Sequence, residues 1–359
     1  MDKGSLVVKS ASCVVIANPA SGHFNRYRLE RLLSACRRQG LSVQLRLTEK
    51  PGHGAQLALE AAQRHVTVII AAGGDGTMAE VASGIMACSA VQRPIMALFP
   101  MGTVNLLVRE WGLPSHAEAC AARVAGALRS GNVGRIYPGW LHRVGSPPQL
   151  FLQMLGAGFD GAVVQGVNPW LKQWVGRGAY GWAIMKTGLR LAWCGLKGRF
   201  SKAHRAAPLI VTLDPGTAGA KTLSAVAVIV ARGKLYAGPW PLVPTGHVDH
   251  AAKAHPCFSV ITLHSQSLNV FLSAGLALVQ GRFPQWVMRP ETPVSLTTAT
   301  EVALTPLPSA KPFQTALQAD GDGAGHAPCK ITGCSPGPRS CIAQAQDSGQ
   351  RNDYLRIVI

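Results

Sequence analysis

The run Gly73-Gly74-Asp75-Gly76-Thr77 sets glycines, a carboxylate and a hydroxyl at a spacing suited to holding an anion. Glycines let the backbone approach phosphate oxygens without a Cβ in the way, and they take positive φ where a turn needs it. Met78 to Met86 is helical in pattern, so the free N–H groups and partial positive charge of a helix start lie beside the run. Asp75 there could hold a metal ion or orient a phosphate-bound water. A plainer reading is a strand-to-helix turn that Thr77 caps, with Glu80 completing a capping box. Two further loops enlarge the anion-binding reading. Asn18-Pro19-Ala20-Ser21-Gly22 follows an apolar strand and precedes a helix, and Pro100-Met101-Gly102-Thr103-Val104-Asn105 follows another strand. Loops at the carboxyl ends of parallel strands line the ligand crevice of an open sheet. Together the three loops predict a cradle for a nucleotide triphosphate. No Walker A lysine pattern and no GxGxxG after the first strand occurs, which disfavours a P-loop NTPase or an NAD dehydrogenase.

The elements that must carry these loops alternate. Strands are expected over Val14–Ala17, Ser42–Leu47, Val66–Ala72 and Ile95–Phe99, with helices over Arg26–Gln39 and Gly54–Arg64. Strands separated by helices pair in parallel with helices on both faces. From about Tyr137 shorter apolar runs take over, at Leu150–Leu155, Leu209–Leu213, Leu223–Ala231, Cys257–Leu263, Val294–Leu296 and Glu301–Leu304, punctuated by Gly and Pro. That texture reads as antiparallel β structure. The fold class expected is two-domain α/β plus β: an N-terminal parallel-sheet nucleotide domain over 1–138, and a C-terminal antiparallel β-sandwich over 139–342 with a helical insert at about 170–205. The tail 343–359, ending YLRIVI, has no role readable from its residues.

With 359 residues, 47% of them hydrophobic, the chain can bury a large core. Its 35 Lys and Arg against 17 Asp and Glu give +18, which favours anionic partners. The N-terminus lacks a signal peptide's apolar stretch. The longest span free of Asp, Glu, Lys and Arg, Cys257 to Gln280, is broken by polar residues from His264 to Asn269 and reads as soluble folded structure. Nine cysteines, mostly isolated in apolar segments, fit reduced thiols, and the loose group Cys329, Cys334, Cys341 with His326 matches no standard zinc pattern. Between Trp170 and Arg205 stand four tryptophans and eight Lys or Arg with no acid, a composition suited to a bilayer interface or, more plainly, to a core with a solvated basic face. No nucleic-acid motif is present, and no nucleic-acid partner is expected.

NPASG, GGDGTMAEV, FPMGTVNLLVREWGLP, LGAGFDGAVV and QADGDGAG, in that order from about residue 12 to 342, resemble the diacylglycerol kinase catalytic-domain family, notably its bacterial soluble YegS-type lipid kinases. Sphingosine and ceramide kinases belong to the same superfamily. The resemblance implies ATP with Mg²⁺ as cofactors, a hydroxyl-bearing lipid as substrate, and a cytoplasmic protein peripheral to the anionic inner face of the membrane. It places Asn18, Ser21, Gly22, Thr48, Gly74, Asp75, Gly76, Thr77, Glu80, Thr103 and Asn105 around the nucleotide, and Phe159 and Asp160 near the lipid. A late Asp-Gly-Glu supplies the family's base. Here it is Asp320-Gly321-Asp322, so Asp320 would accept the proton and Asp322, one methylene shorter, would assist. By residues alone this Asp-Gly-Asp is a hairpin turn. The family's acidic metal loop is reduced to Asp249, which makes an accessory metal site doubtful.

Overall fold

The computed structural model describes residues 11–166, 207–244, 257–265, 267–333 and 354–359. The chain divides into two units, Met1–Ile136 with Tyr354–Ile359, and Tyr137–Asp353. Among the described residues no helix is long and apolar enough to cross a membrane.

The first unit alternates strand and helix: β1 (Ser12–Ala17), α1 (Arg26–Arg38), β2 (Ser42–Leu47), α2 (His53–Gln63), β3 (Val68–Gly73), α3 (Asp75–Met86), β4 (Ile95–Pro100), α4 (Leu106–Glu110), α5 (Ala117–Ser130) and β5 (Gly134–Ile136). Its sheet runs β2-β1-β3-β4, then the C-terminal strand Leu355–Ile357, then β5. The first four strands pair in parallel. Every residue of β3 is buried, as expected of a parallel strand covered on both faces. Val15, Ile70 and Phe99 pack with Leu32 of α1 and Val124 of α5 in one core. The strand order reverses between β1 and β3, and ligands gather at the carboxyl ends of strands at such a switch point.

The second unit comprises β6 (Gly139–His142), β7 (Gln149–Phe151), β8 (Met154–Gly158), α6 (Phe159–Gly166), β9 (Leu209–Leu213), β10 (Lys221–Ala225), β11 (Ala227–Ala231), β12 (Leu235–Tyr236), β13 (Trp240–Pro241) and β14 (Phe258–Leu263). There follow α7 (Leu268–Val279), α8 (Phe283–Val287), β15 (Val294–Ala299), β16 (Glu301–Pro306), α9 (Pro312–Thr315), β17 (Ala316–Ala319), β18 (Asp322–His326) and β19 (Cys329–Thr332). Two six-stranded antiparallel sheets, β10-β9-β16-β19-β6-β7 and β15-β14-β11-β8-β17-β18, enclose a shared core that includes Leu141, Val211 and Val302 from one and Leu155, Val260 and Leu317 from the other. The α/β-plus-β class expected from the sequence is the class observed. The Trp-rich insert at 170–205 lies outside the described residues.

Three local expectations change. Leu150–Leu155 and Leu223–Ala231 are not single strands. Each breaks, at Leu152–Gln153 and at Val226, and continues in the opposite sheet. An apolar run cannot reveal such a break, because both halves face the same core. Helices α5 and α7 form where the sequence reading assigned none. The terminal YLRIVI forms a strand between β4 and β5, with Ile357 paired to Met96 and Leu355 to Ile136.

Candidate active site

At the switch point of the first unit three loops interlock. The Asn18 side chain folds back, its Oδ1 accepting from Ala20 N at 2.8 Å, while its Nδ2 donates to Thr77 Oγ1 at 3.1 Å. That bond joins the loop after β1 to the first turn of α3. The loop after β4 joins both. Met101 N donates to Gly73 O at 2.9 Å, and His23 N donates to Met101 O at 3.0 Å. His23 Nδ1 also lies 3.1 Å from Gly102 O. Asn105 braces Gly102 reciprocally, accepting from its N–H at 3.1 Å and donating to its carbonyl at 2.7 Å. A Cβ on Gly102 would stand 2.4 Å from Gly74 Cα. The two glycine backbones thus pass where a side chain on Gly102 does not fit, with the Gly102 amide and carbonyl already held by Asn105.

Helix α3 begins at Asp75, with Gly74 as N-cap and no side-chain cap. Its first N–H groups are therefore not covered by a capping side chain, and the helix start favours negative charge. The capping box expected of Thr77 and Glu80 does not form. Thr77 sits inside the first turn and accepts from Asn18, while Glu80 points to the next loop. Its carboxylate accepts from Gly52 N at 2.7 Å and Gly54 N at 3.0 Å, so it caps α2 from a neighbouring helix. The reason is helix register: α3 starts three residues earlier than a Thr77 cap requires, and Gly52 and Gly54 supply the amides of the α2 start. Thr48 is buried at the end of β2, its N–H donating to Ala17 O at 2.9 Å. Ser21 continues the Asn18 turn, its N–H donating to Asn18 O at 3.1 Å, while Gly22 lies against Thr103, where a Cβ would meet Oγ1 at 2.8 Å. Gly76 lies in the first turn of α3 beside Asp75.

The second unit holds the acidic turn. Asp320 and Gly321 link β17 to β18 with φ of +48° and +86°, and Ala319 pairs with Asp322. Positive φ at both central residues defines the tight hairpin turn that Asp-Gly favours. The Asp320 side chain turns inward, where it is buried. Its Oδ2 accepts from Leu152 N at 2.6 Å, and its Oδ1 from Gln153 N at 2.8 Å and Met154 N at 3.0 Å. These are the amides released where the chain leaves β7 for β8, and buried amides need partners. Burial pushes the Asp320 carboxyl up from 3.8 to about 6, against the lowering effect of the three amides. Asp322 is exposed at the start of β18.

A second buried carboxylate, Asp160, accepts from the Tyr236 hydroxyl and from Gln318 Nε2 at 2.8 Å. Burial pushes its carboxyl up. Gln318 in turn accepts from Gly321 N at 2.9 Å through its Oε1, so Asp160 connects to the Asp320-Gly321 turn through one side chain. Phe159, beside it, packs its ring on Phe271 at 4.5 Å between centroids. Tyr236, Gln318 and His23 were not singled out in the sequence, because nothing in their spacing ties them to distant partners. Asp249 lies outside the described residues. Among the described residues no three His, Cys, Asp or Glu side chains converge as a metal site.

Comparison with known proteins matches residues 12–136 to the diacylglycerol kinase catalytic domain. A Bacillus subtilis diacylglycerol kinase is 30% identical over 170 residues, covering 46% of this chain and 52% of that protein. A Chromohalobacter salexigens protein described as a probable lipid kinase YegS-like is 29% identical over 145 residues, covering 40% and 43%. The chain thus spans about half the length of these curated relatives. Over the whole fold, a solved Bacillus anthracis chain superimposes with a TM-score of 0.65 at 19% identity, covering 100% of this chain and 98% of that one. A diacylglycerol kinase of the same organism gives 0.57 at 18%, covering 90% and 94%. The interlocked loops and the GGDGT turn thus lie in a stretch similar to the diacylglycerol kinase catalytic domain, and the chain shares the fold of the solved Bacillus anthracis chains.

Proposed function

We propose that this protein is an ATP-dependent lipid kinase, transferring the γ-phosphoryl group to a hydroxyl of a lipid such as diacylglycerol or a related glycerolipid or sphingoid lipid. The observation that carries the reading is the loop cluster at the switch point, where Gly74 and Gly102 pass without room for side chains beside the uncapped start of α3. Such backbone suits phosphate groups, which need N–H donors and close approach more than side-chain charge. Asp75 is the carboxylate in the first turn, and it would hold Mg²⁺ that arrives with ATP. A lone carboxylate fits an ion that keeps most of its ligands as water and phosphate oxygens. Bound there, Mg²⁺ would supply charge neutralisation on the phosphates.

In this reading the acceptor hydroxyl oxygen attacks the γ-phosphorus as the bond to the bridging oxygen breaks, and ADP leaves. The hydroxyl proton passes to Asp320, whose elevated pKa of about 6 suits a base near neutral pH. Asp322 assists from the hairpin, and Phe159 beside Asp160 offers the apolar contact for the lipid. The protein would work in the cytoplasm, peripherally on an anionic membrane face, in keeping with its +18 charge.

The test is purified protein with labelled ATP and vesicles of mixed lipids. A labelled phospholipid product is expected, its formation lowered at least about 100-fold by Asp320→Asn. No labelled lipid across a broad panel would end the reading. Activity on dispersed nucleotides or sugars without vesicles would point to a soluble acceptor. A second reading, a lipid-binding regulator without turnover, is favoured by one observation: both oxygens of Asp320 are already engaged by backbone amides. Vesicle binding with no ATP consumption would select it.

A further inference from the structure

Helix α7 carries no Asp, Glu, Lys or Arg between Leu268 and Val279. Its inner face, Ala274, Ala277 and Leu278, packs into a small core with Phe283, Val287 and Ile261. The opposite face presents Leu272, Leu276 and Val279 at 62%, 59% and 62% exposure. These positions recur at i, i+4 and i+7 and form one stripe along the helix. Gly275, beside them, opens to empty space. The exposed Asn269 and Ser273 flank this stripe, and an exposed apolar stripe rimmed by polar residues marks an interaction surface. Just beyond the helix stand exposed Arg282 and Arg289 and the exposed Met288. No acidic residue occurs between Asp249 and Glu291.

We infer that α7 is the membrane-docking element, its stripe of Leu272, Leu276 and Val279 entering the apolar layer of an anionic bilayer while Arg282 and Arg289 meet the lipid headgroups. Charge selects this occupant. A second copy would bring another +18 surface and repel. An anionic bilayer accepts the apolar stripe and the neighbouring arginines together. The docking also has a route to the acceptor site. Phe271 on α7 packs its ring on Phe159, next to the buried Asp160. A bilayer held at α7 is therefore held close to the residues assigned to the lipid. This last link rests on the lipid-kinase reading, whereas the docking itself is a binding property measured without catalysis.

The experiment is flotation of the full chain with vesicles of phosphatidylcholine, with and without phosphatidylglycerol. Wild-type protein is expected to float with the anionic vesicles. Leu272→Gln/Leu276→Gln/Val279→Gln should weaken that partition roughly 100-fold, at about the loss of burying three aliphatic side chains in part. Arg282→Glu/Arg289→Glu should cost at least about tenfold and remove most of the dependence on phosphatidylglycerol and on salt. Wild-type protein that stays with the buffer, or a triple variant that floats like wild type, overturns the inference. So does a lower melting temperature in the triple variant, which would mean the stripe is already covered within the chain. A wild-type dimer that the triple variant turns to monomer in sedimentation would assign the face to a second copy and also overturn it. Stripe-dependent flotation without any labelled lipid product would sustain the docking and sink the kinase reading.

Discussion

In the first unit, the loops after β1, β3 and β4 meet through amides, carbonyls and uncharged side chains, with Gly74 and Gly102 in closest approach. In the second, two carboxylates, Asp160 and Asp320, are buried outright and held by a phenol, a carboxamide and three backbone amides. The first arrangement leaves backbone donors for a ligand and depends on the absence of side chains. The second draws charge into the interior and depends on every partner being present. A missing partner there leaves a buried polar group unsatisfied, which costs more than an average hydrogen bond contributes. The two regions should therefore fail differently: the loops by losing ligand, the turn by losing stability.

The largest effect should follow Asp320→Ala. Three buried amides lose their acceptor, and at about 1–3 kcal/mol each the unfolding free energy should fall by about 3–9 kcal/mol, read by denaturant titration. A variant as stable as wild type would show that water replaces the carboxylate and would end the contrast between the regions. The wild-type group also carries a pH signature. Its carboxyl is raised from 3.8 to about 6, so its contribution to stability is full below the ordinary carboxylate range and is lost as pH rises through about 6. Its capacity to accept a proton grows through the same window. Turnover should thus rise through about pH 6, and a rate profile flat there would remove Asp320 as the base.

Next comes Gly102→Ala. The new Cβ would collide with the Gly74 backbone, so the loops must part. ATP affinity by calorimetry should drop about 100-fold with little change in melting temperature, since the site lies outside the core. Equal losses of affinity and stability would mean that the loop cluster is part of the fold's support. Glu80→Ala should be milder, about 1–3 kcal/mol from the two amides of Gly52 and Gly54. Its hydrogen-exchange signature should be confined to the start of α2. The smallest effect should be Asp322→Glu, which lengthens an exposed side chain toward the family's usual residue. Turnover should rise by no more than about tenfold while stability stays within about 0.5 kcal/mol.

Much of the first unit was legible because its chemistry is local. Glycine runs after buried strands have few other uses, and alternation of strand with helix implies parallel pairing. T-M-A-E satisfies a capping pattern in one dimension, whereas in three dimensions Gly52 and Gly54 compete for the Glu80 carboxylate. In the second unit the strand breaks at Leu152 and Val226 stayed hidden, since hydrophobic patterning reports burial and not which sheet does the burying. Helix α7 was hidden in a different way. Its apolar residues fall on both faces, so it lacks the one-sided pattern by which an amphipathic helix is read.

The amino-acid sequence by itself determined the two-part architecture, the three glycine loops, the hairpin at Asp320-Gly321 and the basic charge. These depend on backbone permissiveness, periodicity and composition, which are properties of neighbouring residues. Tertiary structure alone decided that Asp320 accepts from Leu152, Gln153 and Met154, that Asp160 joins Tyr236 and Gln318, and that the terminal strand enters the first sheet beside Met96. The physical reason is that a buried polar group must take whatever partner the fold brings within hydrogen-bonding distance, however remote that partner is along the chain.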